Sequence, residues 1–150
     1  MQTVQRLQRS GVGIGPDRTI AHAAQVMEQS GIGLVAVIDD GQLVGVVTDR
    51  DLVRRALAAG CPPDGRVDSV MSTPVLTIDA DADLAEAASR FAEHAVRRLA
   101  VVDSTHFVGV LSLDDLLLDA ARNLTDLTAP LAAEIDHPHR YAGSLIESGA

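Results

Sequence analysis

Apolar positions in the first third of the chain recur with a helical period. Ile20, Ala23, Ala24 and Met27 are spaced i, i+3, i+4, i+7, which gathers them on one helix face. The period changes at Leu34–Ile38, a short β-branched run with the length and composition of a buried strand. Asp39-Asp40-Gly41 follows, and an Asp-Gly step between two apolar runs predicts a tight hairpin into a second strand, Leu43–Thr48. A short strand over Val12–Ile14 and a closing helix from Asp49 to Ala59 complete a β-α-β-β-α unit. Asp17 stands where a helix-starting carboxylate belongs.

The same pattern returns 64 residues later (Ile78 against Ile14) and runs without a gap from Ile14–Leu57 onto Ile78–Ala121. The helix face returns as Leu84, Ala87, Ala88 and Phe91, and Asp81 repeats Asp17. Val75–Ile78, Leu99–Val102 and Phe107–Ser112 repeat the strands, and the closing helix is predicted over Leu113–Asn123. Gly45–Leu52 (GVVTDRDL) against Gly109–Leu116 (GVLSLDDL) is the strongest matching block. The chain therefore divides into a leading segment (1–10), repeat one (11–59), a Gly/Pro-rich linker (60–68), repeat two (69–124) and a tail (125–150). In the tail only Leu127–Ile135 suggests a helix; the polar remainder reads as mobile.

These residues resemble a known family. Val67–Ala88 is similar to the opening of a cystathionine-β-synthase (CBS) domain, and Val96–Asp103 and the two closing blocks are similar to its later parts. The resemblance covers about Val12 to Asn123. It implies an α+β fold in which two tandem β-α-β-β-α CBS repeats pack sheet to sheet as a pseudo-twofold pair, a Bateman module. Repeat one departs from the pattern in its opening, which lacks the Met-Ser-Thr-Pro of repeat two. It also carries Gly33-Leu34 where repeat two has Arg97-Arg98.

Composition narrows the function. The formal net charge is −9 and only two Phe and one Tyr are present, so there is neither a basic face for phosphate backbones nor a set of stacking aromatics for nucleic acid. All twelve basic residues are Arg, which with the abundant Ala and Gly suggests a GC-rich bacterial genome. The longest apolar run, Gly31–Ile38, is too short to span a bilayer, and a cytoplasmic location is the expectation. The single cysteine, Cys61, permits no internal disulfide. His137-Pro-His139 beside Asp136 is the one metal-like cluster and reads as solvated. No nucleophile–base pair or phosphate loop is evident, and Gly11-x-Gly13-x-Gly15 lacks the third glycine of a dinucleotide fingerprint. A regulatory module is favoured over an enzyme.

Candidate chemistry concentrates where each repeat closes. Thr48-x-x-Asp51 and Ser112-x-x-Asp115 each follow a strand and open a helix. One reading is a helix cap. The other is a ligand site, in which a hydroxyl and free helix N–H groups meet a phosphate while the carboxylate binds a ribose diol. The CBS resemblance implies the second for Thr48, Asp51, Ser112 and Asp115. Arg97 and Arg98 are candidates for a phosphate clamp, because a guanidinium fork matches phosphate oxygens. The resemblance also implies an adenine slot along the first strands, at Gly13, Ile14 and Gly15 and at Leu76, Thr77 and Ile78. AMP, ADP, ATP or S-adenosylmethionine are the implied ligands, with no cofactor required. The alternative is a ligand-free scaffold that acts through dimerisation. Leu52, Val53, Ala56 and Leu57, with Leu116, Leu117, Leu118 and Ala121, predict a homodimer face on the closing helices. The partner that such a module would regulate is unknown.

Overall fold

The structure is a computed structural model and describes residues 2–136. Of the described residues, those up to Leu116 form one compact unit and those from Leu117 to Asp136 belong to a second.

Within the first unit each repeat builds a three-stranded sheet. In repeat one, β1 (Gly13–Ile14) pairs in parallel with β2 (Leu34–Asp39), and β2 pairs antiparallel with β3 (Gln42–Thr48). Helix α2 (Ile20–Ser30) supplies the crossover between β1 and β2. Repeat two copies this with β4 (Thr77–Asp79), α4 (Leu84–His94), β5 (Arg98–Asp103) and β6 (His106–Ser112). The hairpin ladders agree pair for pair at the 64-residue offset: Leu34 opposes Thr48 and Arg98 opposes Ser112. Asp40 and Gly41 both have positive φ (51° and 78°), the conformation that suits a two-residue hairpin turn between twisted strands.

Each sheet buries one face under its own helix. Ala23, Met27, Val35, Val37 and Val47 form one apolar cluster, and Ala87, Phe91, Leu99, Val101 and Leu111 form its mate. β3 and β6 meet where the two sheets pack together. Without Trp and with few other aromatics, the core is made of small and branched side chains that let thin layers approach closely.

Several expectations need correction. Ala24 and Ala88 are exposed; in repeat one Val26 packs against the core instead. Asp17 and Asp81 do not start the helices. Thr19 caps α2 by accepting from the His22 N–H at 3.0 Å, and Asp83 caps α4 by accepting from the Glu86 N–H at 2.8 Å. A cap must directly precede the first helical residue, and Asp17 and Asp81 lie two residues too early. The first closing helix is a short α3 (Asp49–Asp51) that continues as a π-helical stretch, Leu52–Leu57. The second, α5, runs unbroken from Leu113 to Asp136 with Pro130 inside it, past the expected end at Asn123. Hydroxyls beyond Asn123 bond back to the helix: Thr125 donates to the Ala121 carbonyl and Thr128 to that of Thr125. Of the expected dimer-face residues, Ala56 and Leu116 are buried in the core. His137 and His139 lie outside the described residues.

The leading segment is structured. A one-turn helix, α1 (Val4–Leu7), packs on repeat two, with Val4 fully buried in that core and its N–H donating to the Ala82 carbonyl. The linker also packs: Val67 is fully buried, and the Ile20 N–H donates to the Gly65 carbonyl. Because Val4 closes the core of repeat two, Val4→Ala is expected to lower the unfolding free energy by about 1.5–3 kcal/mol, the cost of two buried methyl groups and the void they leave. The exposed neighbour Gln5→Ala is expected to change it by less than about 0.5 kcal/mol, as measured by urea unfolding.

Candidate functional site

The lead-in segment of each repeat crosses to the closing strand of the other. Ser72, ahead of the first strand of repeat two, exchanges both backbone hydrogen bonds with Val46 in β3 (2.8 and 3.2 Å). Arg9, ahead of repeat one, does the same with Val110 in β6 (both 2.9 Å). Val46 and Val110 are equivalent positions, so Ser72 and Arg9 are structural counterparts. The two crossings require the paired glycines of the closing strands. A Cβ on Gly45 would collide with Met71, and one on Gly109 would come within 2.5 Å of the Arg9 carbonyl oxygen.

These crossings deliver a side chain to each candidate carboxylate. In repeat one the capping box is complete: the Asp51 N–H donates to Thr48 Oγ1 at 3.2 Å, and the Thr48 N–H donates to Asp51 Oδ2 at 3.0 Å. The Ser72 hydroxyl lies 3.1 Å from both Asp51 oxygens and donates to the carboxylate. Arg55 approaches Oδ1 at 3.7 Å. A carboxylate offers about four acceptor positions, so beside the Thr48 N–H and the Ser72 hydroxyl Asp51 keeps capacity for two further donors.

In repeat two only half of the box forms. The Asp115 N–H donates to Ser112 Oγ at 3.1 Å, but the carboxylate is turned to Arg9. Arg9 Nε donates to Oδ2 at 2.8 Å and Nη2 to Oδ1 at 3.0 Å, a bidentate pair. The Arg9 hydrogen bond holds the Asp115 carboxyl below its ordinary range, against an opposing push from burial.

A cavity of about 500 Å³ opens beside Thr48 and Asp51. Its walls bring together Leu34 and Val46 from repeat one with Leu76, Val96 and Ala100 from repeat two. Arg50, Arg97 and Arg98 also line it, as does Ser72. Ala95, in the left-handed conformation that ends α4 (φ 50°), contributes to its rim. Both expected clamp arginines are thus at the cavity. Arg97 pairs with Asp114 at 2.8 Å, and Arg98 reaches across the repeats to Asp49 at 3.4 Å. These are solvent-facing pairs, of the kind worth at most about 1 kcal/mol, so an incoming anion can exchange with either carboxylate. The equivalent space beside Ser112 and Asp115 is about 210 Å³ and is faced by Arg9, Ile32 and Gly33.

Of the expected adenine strands, Leu76 lines the larger cavity, while Thr77 and Ile78 do not. Ile14 and Ile78 are core residues, and Gly13 lies against the Ile38 side chain. Ser72 and Arg9 are the site residues that the pattern of the sequence did not single out. Their one sequence signal is the glycine repeated in mid-strand, Gly45 and Gly109, since a strand glycine often marks close approach of another backbone.

A family model for the CBS domain matches residues 8–58 and 67–121. The chain belongs to the CBS domain family. It is 36% identical over 110 residues to the CBS domain-containing protein YhcV of Bacillus subtilis, a match covering 73% of this chain and 79% of that protein. It is 33% identical over 119 residues to Hypoxic response protein 1 of Mycobacterium tuberculosis, covering 77% and 83%. Among solved structures, the CBS domain protein NE2398 superposes with a TM-score of 0.72 at 32% identity, over 80% of this chain and 98% of that one. The fold is that of a tandem CBS pair. Hypoxic Response Protein I has been solved with two coordinated zinc ions and superposes with a TM-score of 0.69. Among the described residues of this chain, no group of three or more His, Cys, Asp or Glu is placed to hold a metal ion. Nor is any helix among them long and apolar enough to cross a membrane.

The depressed Asp115 carboxyl fixes a pH dependence. A carboxylate whose proton affinity is lowered by folding adds stability above its unfolded value, about pH 3.9, and loses it as pH falls through the folded value. Asp115→Asn is therefore expected to melt below the parent at pH 7, with the gap closing as the pH drops under about 4. Parallel melting curves across this range check it; a gap that stays constant with pH would contradict it.

Proposed function

We propose that this tandem CBS module is a non-catalytic sensor that binds an adenosine nucleotide in the Thr48–Asp51 cavity. The observation that carries the reading is the convergence, in one cavity of about 500 Å³, of a part-buried carboxylate, a hydroxyl, an apolar wall and three arginines. That volume suits a small ligand. Leu34, Val46, Leu76, Val96 and Ala100 provide the surface for a purine ring. Asp51 accepts from the two ribose hydroxyls, each charge-assisted bond contributing about 1.5–3 kcal/mol. Thr48, Arg50, Arg97 and Arg98 face the phosphates and supply local positive charge in an acidic protein. AMP, ADP, ATP and S-adenosylmethionine all present the adenosine that this arrangement fits.

Because walls from both repeats line the cavity, an occupant bridges them and favours one arrangement of the pair. A regulated protein would read that arrangement. The exposed Val53 and Leu57 on the π-helical stretch, and Leu117 and Leu118 on α5, support assembly as a homodimer. A cytoplasmic setting, in which adenosine nucleotides are abundant, suits this role. A second reading, a scaffold without ligand, is favoured by one observation: Thr48 and Asp51 already satisfy each other as a helix cap.

Light scattering at micromolar concentration is expected to return twice the chain mass; a monomer would remove the dimer. A thermal-shift panel of AMP, ADP, ATP and S-adenosylmethionine decides between sensor and scaffold. A ligand at 100 times its Kd is expected to add about 2.7 kcal/mol, and no shift with any of them would favour the scaffold. Asp51→Asn keeps the shape but removes the charge, and is expected to weaken binding about tenfold or more. Arg97→Ala with Arg98→Ala is expected to weaken ATP far more than adenosine. Equal losses for both would make the arginines structural.

A further inference from the structure

The two carboxylates of the paired repeats differ in what their lead-in segment brings them. Asp51 receives the neutral hydroxyl of Ser72, and an open cavity of about 500 Å³ remains beside it. Asp115 receives the Arg9 guanidinium in a two-point contact, and the space beside it falls to about 210 Å³.

Two parallel N–H donors on one carboxylate are also what a ribose diol would present in O–H form. Arg9 therefore occupies the acceptors that a nucleoside would need at Asp115. It does so with a full charge and with no loss of translational freedom, because it belongs to the same chain. Placement of the strap is built into the fold. The Arg9 backbone is paired in both directions with Val110, Gly109 has no Cβ to obstruct its carbonyl, and the buried Val4 anchors the segment upstream.

We infer that Arg9 is an internal occupant of the second nucleoside position, so that one chain binds one nucleoside rather than two. This rests on the reading that the Thr48–Asp51 cavity is a nucleoside site. It goes further by naming the residue that decides stoichiometry. It also makes the Asp115 position conditional: anything that lifts the strap from β6 uncovers a carboxylate of the same kind as Asp51.

The test is calorimetric titration of the full chain with AMP, alone and as Arg9→Ser, which copies the residue at the counterpart position. Arg9→Gln, which keeps the side-chain length without the charge, is a second variant; either one that retains the parent far-UV spectrum serves. The expected result is one AMP per chain for the parent and two for the variant. Adding Asp51→Asn to the variant should remove one site and leave the one at Asp115. Two AMP per chain in the parent, or one in the parent and still one in the variants, would overturn the inference while leaving the nucleotide-sensor reading in place. A double variant that loses both sites would overturn it as well. A parent that binds none beside a variant that binds one would sustain Arg9 as the occupant and sink the Thr48–Asp51 site. No binding by either would overturn both.

Discussion

Reciprocal exchange of the lead-in segments is the constraint on which the rest of this molecule depends. Each repeat alone would bury one face of a three-stranded sheet and leave the outer edge of its closing strand unpaired. Ser72 pairs with Val46 and Arg9 with Val110, so each edge is covered by the chain that begins the other repeat. The backbone bonds tie the repeats together. They also determine which side chain is presented to each carboxylate. One crossing ends in a hydroxyl and an open cavity, the other in a guanidinium and a restricted one. The asymmetry of the two sites follows from which residue falls at equivalent positions of two equivalent crossings.

The same exchange explains why the cap and ligand readings of the Thr48 and Ser112 motifs are compatible. A capping box uses the carboxylate once and the hydroxyl once. What remains of Asp51 faces Ser72 and the cavity, and the Asp115 carboxylate, which makes no cap bond, is taken on both oxygens by Arg9. In repeat one helix capping therefore fixes the position of the carboxylate, and in both repeats the crossing segment decides whether the carboxylate is available. Arg97 and Arg98 occur only in repeat two, yet they line the repeat-one cavity because that cavity is built across the pair. Of the Gly33-Leu34 that replaces them in repeat one, Leu34 lines the same cavity, while Gly33 faces the Asp115 space, where a Cβ would press on the Asp49–Arg98 pair.

Much of this was legible from the residues. Periodic apolar positions located both crossover helices, and the Asp40-Gly41 step located a hairpin turn. The 64-residue offset carried over to the strand pairing itself, because register is set by which face is apolar. The site motifs were legible for the same reason: a hydroxyl and a carboxylate three apart after a strand are a local pattern. Arg9 and Ser72 were not, since their role comes from contacts with Asp115, 106 residues away, and Asp51, 21 residues away. Nor did local pattern separate Thr19 and Asp83 from the nearby Asp17 and Asp81 as caps. The difference is two residues of backbone, set by where the linker and the leading segment pair: Arg66 bridges Thr19, and Thr3 bridges Asp83.

The most direct test of the account is a crystal structure of the chain grown with AMP. The account requires the ribose on the Asp51 carboxylate, the purine against Leu76 and Val96, and the Arg9–Asp115 pair intact. A nucleotide seated at Asp115 with Arg9 displaced, while the Thr48–Asp51 cavity stays empty, would contradict it.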